Sequence, residues 1–82
     1  MRLAFSSDQC RALSTLAPGE TGVVVAIESG DEHRTNRLLA LGVTPGAAIT
    51  VLQTYPGVVF LCDQTELAVE HAVAAAIVVR ES

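Results

Sequence analysis

Apolar residues along this chain change their spacing several times, and each change marks an element. Gly22 to Glu28 (GVVVAIE) concentrates β-branched residues in a run too short for a typical helix. It predicts a strand buried on at least one face, with Val23, Val25 and Ile27 on one side. Ala48 to Thr54 sets Ile49 and Val51 against Thr50, Leu52 and Thr54, a second strand. Val58 to Cys62 reads as a third. In Thr65 to Glu70, Leu67 and Val69 alternate with Glu66, Ala68 and Glu70, the pattern of a strand with one wet face. Val58, Phe60 and Cys62 are expected to share the inner face with Leu67 and Val69. Ile77-Val78-Val79 supplies a short closing strand after one helical turn in the alanine-rich segment His71 to Ala76.

A helical period replaces the strand period only between about Asp31 and Leu41. Ser29-Gly30-Asp31-Glu32 has the oxygen side chains that accept the free amides of a first turn, and acidic groups favour that end of the helix dipole. At the other end Arg34 and Arg37 come late, Leu38, Leu39 and Leu41 are apolar, and Gly42 follows. Glycine adopts the left-handed conformation that closes a helix without strain. Thr44-Pro45-Gly46 then forbids continuation. Ala17-Pro18-Gly19-Glu20, Pro56-Gly57 and Asp63-Gln64 are turns by the same chemistry. Near the start, Ser7 or Asp8 is placed to cap a short helix through Leu13. Five short strands, brief turns and one inserted helix predict a mostly-β chain folded as a small barrel, which removes the edges so apolar a sheet would expose.

Length and composition narrow the picture. At 82 residues the chain has material for one core, so residues 1–82 are read as one domain with its core at about 13–79. Half the residues are hydrophobic and 17% charged, a composition that folds. From Leu38 to Cys62 there is no charge, yet Thr44-Pro45-Gly46 and Pro56-Gly57 cut that stretch well short of the roughly 20 apolar residues a membrane helix needs. Direct membrane insertion is not expected. The net charge is −4, and the five basic residues are scattered arginines, which argues against a nucleic-acid face. The opening MRLAFSSDQC has too short an apolar run for a signal peptide, so a reducing cytoplasm with both Cys10 and Cys62 as thiols is expected.

A Pro-Gly turn, a valine-rich strand, a helix ending R-x-x-R-L-L-A-L-G-V-T-P-G and a strand rich in Ile and Val together resemble the FeoA family. The matching residues are Leu16, Pro18, Gly19 and Gly22, then Arg37, Leu38, Leu41, Gly42, Pro45 and Gly46, then the run from Glu66 to Val69, with Ala72 and Ile77 to Val79 at the end. The resemblance spans about Leu13 to Val79 and implies a small SH3-like barrel. It further implies a cytoplasmic accessory protein of bacterial ferrous iron transport, docking on the cytosolic GTP-binding region of the membrane transporter FeoB and peripheral to the inner membrane through that partner. The alternative is an SH3-like regulatory or metal-sensing module related to the C-terminal domain of iron-dependent repressors, although this chain has no helix-turn-helix segment of its own.

Candidate chemistry is sparse. No pair among Cys10, Cys62, His33 and His71 has catalytic spacing, and Cys62 reads as a small core residue. Asp31-Glu32-His33 and Glu66 with Glu70-His71 carry imidazole and carboxylate, but a helix first turn and a wet strand face account for them, and no metal site or cofactor is assigned. No enzyme activity is expected. Of Leu38, Leu39 and Leu41, at least two are expected to seal the barrel, leaving Leu39 near the surface. With Val43, Tyr55 and Pro56 it would make an apolar docking patch rimmed by Arg34 and Arg37. Such a face is also able to hold a second copy of the chain.

Overall fold

A computed structural model describes residues 10–81 of the chain. In chain order it contains β1 (Cys10–Ala12), a 3-10 turn (Leu13–Thr15), β2 (Thr21–Ile27), α1 (Glu32–Ala40), β3 (Ala48–Gln53), β4 (Val58–Cys62), β5 (Thr65–Val69), α2 (His71–Ala74) and β6 (Ile77–Glu81). All pairings are antiparallel, in the order β1-β6-β2-β3-β4-β5.

The mostly-β, SH3-like class expected from the sequence is the class observed, with two differences in detail. Among the described residues six strands form rather than five, and the sheet they make is not closed, β1 and β5 being its two edges. The additional strand lies where a helix through Leu13 was expected: Cys10, Arg11 and Ala12 pair with Arg80, Val79 and Val78 of β6. A partner nearly seventy residues away wins over local helix propensity, which is a weak preference. The proposed caps of that helix, Ser7 and Asp8, lie outside the described residues.

The core is built from one face of the sheet. Ile49 and Val51 of β3, Val58, Phe60 and Cys62 of β4, and Ile77 and Val79 of β6 are buried, and Leu67 and Val69 of β5 pack against them. The strand alternation seen in the sequence is thus the alternation of the fold. β2 departs from it. Val24 is buried while Val23 and Val25 face outward, and Ile27 packs against the core. The register explains this, since Val24 pairs with Val79 and Ala26 with Val78, so Val25 is an extra residue that shifts the side-chain phase. Gly22 lets β2 come close to β6: a β-carbon there would lie 2.5 Å from the carbonyl oxygen of Arg80, so only glycine fits.

α1 begins and ends as its sequence dictates. Asp31 is the N-cap, its Oδ1 accepting the Arg34 amide at 3.2 Å. At the C-terminus Gly42, with φ +98, donates its amide to the Leu39 carbonyl at 3.0 Å, and the Val43 amide donates to the Leu38 carbonyl at 3.0 Å. That pair of bonds is a Schellman motif, in which the residue after the glycine packs back on the helix. Leu38 and Val43 accordingly belong to one buried cluster. The Pro45-Gly46 turn then hands the chain to β3, with the Gly46 amide donating to the Val24 carbonyl at 2.8 Å. On the opposite side the Pro18-Gly19 turn is held to β3 by the Gly19 amide, 2.7 Å from the Val51 carbonyl.

Candidate functional site

Residues three, four and seven apart in a helix share one face, so Arg34, Arg37, Leu38 and Leu41 stack along one side of α1. That side forms one wall of a cleft of about 380 Å³. Ala68, Val69 and Glu70 at the end of β5, with Val73 of α2, form the other. Leu38 is buried and makes the floor. Leu41 is 50% exposed and puts apolar surface into the cleft.

The charges in the cleft are unevenly committed. Asp31 is engaged as the cap of its own helix. The guanidinium groups of Arg34 and Arg37 make no hydrogen bond or ion pair among the described residues, where the ion pair present is Arg11 with Glu81 at 2.8 Å, between β1 and β6. Glu70 stands on the strand side. Two fixed cations therefore project over an apolar floor, with one carboxylate opposite.

Outside the cleft, the Cys62 Sγ donates to the Gly42 carbonyl at 3.3 Å, fastening the helix cap to β4. Burial pushes this thiol up from its ordinary 9.0, and the neighbouring Asp63 carboxylate adds to the rise. A thiol so held is a structural donor rather than a nucleophile. Among the described residues no three His, Cys, Asp or Glu side chains stand together in a way that would hold a metal ion. No helix of the described residues is long and apolar enough to cross a membrane.

The structure divides the docking patch expected from the sequence. Arg34 and Arg37 line the cleft, but Leu39, 40% exposed, points off it. Val43 is 0% exposed and offers no surface, because the Schellman motif turns its side chain inward. Tyr55, 83% exposed, and Pro56 sit in the β3–β4 connection and do not line the cleft. Leu41, expected to help seal the core beside Leu38, is a cleft residue instead. The strand-side wall of Ala68, Val69, Glu70 and Val73 had no local signal, since only the tertiary fold brings β5 and α2 to α1.

Comparison with known proteins agrees with this architecture. The family model for the FeoA domain matches residues 11–81. The chain belongs to the FeoA family. This is a family of small accessory domains associated with ferrous iron transport and is not a known enzyme family. Among solved structures, the chain is similar to a protein described as iron uptake regulatory protein (FeoA), with a TM-score of 0.79 and 29% identity over 89% of this chain and 97% of that one. It is similar also to the FeoA protein from Chlorobium tepidum, with a TM-score of 0.77 and 27% identity over 85% of this chain and 69% of that one. A manganese-dependent transcriptional repressor shares the fold at a TM-score of 0.84, but at 21% identity and over 41% of its own length. No curated protein matches the chain significantly.

Proposed function

We propose that this FeoA-family chain is a non-catalytic, cytosolic accessory protein of ferrous iron uptake that docks on the cytoplasmic GTP-binding part of the transporter FeoB, and that the α1–β5 cleft is its docking surface. The observation that carries the reading is the cleft itself, where an exposed Leu41 lies beside two guanidinium groups that no described residue engages. Arginine is enriched at interface hot spots, and an apolar contact beside it helps to exclude water. Family membership supplies the link to iron transport. The protein would be cytoplasmic and held at the inner membrane only through its partner. His33 lines the helix side of the cleft with no second imidazole or thiol among the lining residues, an arrangement that suits a binding role.

A pull-down with the cytosolic region of FeoB tests this. Leu41→Asp places a charge in the cleft without touching the core, and recovery should fall about tenfold or more. Leu39→Asp should leave recovery near that of the native chain. The reverse result would move the contact to the side of Leu39, Tyr55 and Pro56, and no recovery of the native chain would end the docking reading.

A further inference from the structure

β5 is an edge of the sheet, and its outer side opens into the cleft. Asp63 and Gln64 form a two-residue connection, with Cys62 opposite Thr65, Phe60 opposite Leu67 and Val58 opposite Val69. The pair flanking such a turn exchanges both ladder hydrogen bonds, and bonded and non-bonded pairs alternate along an antiparallel ladder. Thr65, Leu67 and Val69 therefore aim their backbone groups at β4. A β-carbon on Gly57 would lie 3.1 Å from the Val69 carbonyl oxygen, as that orientation requires. Glu66 and Ala68 aim theirs outward, and no turn, loop or cap bond among the described residues engages them.

The cleft thus offers three different things to one ligand: a strand edge with an outward amide and carbonyl at Ala68, apolar surface at Leu38 and Val73, and the guanidinium pair of Arg34 and Arg37 on the facing helix. Resting on the docking reading above, we infer that the occupant is an extended, carboxylate-bearing segment of the partner protein that adds a strand to β5 and directs its acidic side chain at Arg34 and Arg37. Charge fixes the orientation. Glu70 repels a carboxylate on the strand side and Asp31, the cap of α1, repels one at the helix start, so the acidic residues of the segment belong beside Arg34 and Arg37. Main-chain bonds supply the affinity of such strand addition and the side chains its selectivity. Arginine suits the task because its fork matches a carboxylate through two parallel bonds.

The test is an amide-correlation NMR titration of the full chain with a short blocked peptide of alternating valine and threonine carrying glutamates on one face. Shifts should be confined to the amides of 66–69 and the guanidinium signals of Arg34 and Arg37. Affinity should drop about tenfold with the glutamine version of the peptide and by a similar factor in the Arg34→Gln/Arg37→Gln variant. N-methylation of the peptide backbone should abolish binding without altering the protein. Equal binding of the glutamine peptide, shifts centred on Leu39 or Tyr55, or no binding would overturn the inference. So would the same residues shifting with protein concentration alone, which would make a second copy the occupant. FeoB recovery that is indifferent to the double arginine variant leaves the docking reading standing while this inference falls. Peptide binding in the cleft without FeoB recovery does the opposite.

Discussion

Cys62 shows how one side chain can look reactive and act as structure. Its thiol donates to the Gly42 carbonyl and is buried between the helix cap and the sheet. Because burial raises its pKa in the folded chain, the unfolded chain loses this proton first as pH increases. The folded state then binds more protons than the unfolded one, so the stability this group contributes is intact below its ordinary 9.0 and is lost as pH rises through the higher folded value. Urea denaturation across that range should show a steeper loss of midpoint for the native chain than for Cys62→Ala. Parallel slopes would remove Cys62 as the cause. Single residues were legible to different degrees: the alternation of β4 placed Cys62 inside, whereas Val43 looked like a surface residue beside a turn. Only the hydrogen bonds after Gly42 show why it is buried.

At the level of elements, α1 was legible at both ends, because a capping aspartate and a terminating glycine are local chemistry. Its orientation was not, since three leucines within four positions permit more than one inward face. The structure selects Leu38, with Val43 packed in the same cluster. Val43→Ala should cost on the order of 2 kcal/mol through the cavity it leaves, while Leu39→Ala and Leu41→Ala should each cost under about 0.5 kcal/mol. Chemical denaturation of the three variants checks this, and a large loss at Leu39 would contradict the assigned face. β1 was illegible for a different reason. Its residues gain their strand conformation from β6, at the other end of the chain, and the extra residue Val25 likewise follows from pairing rather than from spacing.

The described residues build one antiparallel sheet with two unlike edges, and topology sets which of its amides are protected. Hydrogen exchange should be slow in β2 and β6, which are flanked on both sides by paired strands, and should alternate along β5. Leu67 and Val69 should exchange slowly, and Glu66 and Ala68 quickly. Uniform protection through β5 would mean that its outer side is already covered. Of the cleft, Arg34 and Arg37 were legible from the helix spacing, whereas Leu41 reads in the sequence as a core residue and the strand half had no signal, because β5 meets α1 only through the path of the whole chain.

The closing turn of α1 has a mechanical consequence. Leu38 is the helix's single buried residue, and with Val43 and the Cys62–Gly42 bond it fixes the C-terminal end to the sheet. Arg34 and Arg37 lie within about one turn of that anchored end, so the anchor sets the depth at which their guanidinium groups would meet a segment beside β5.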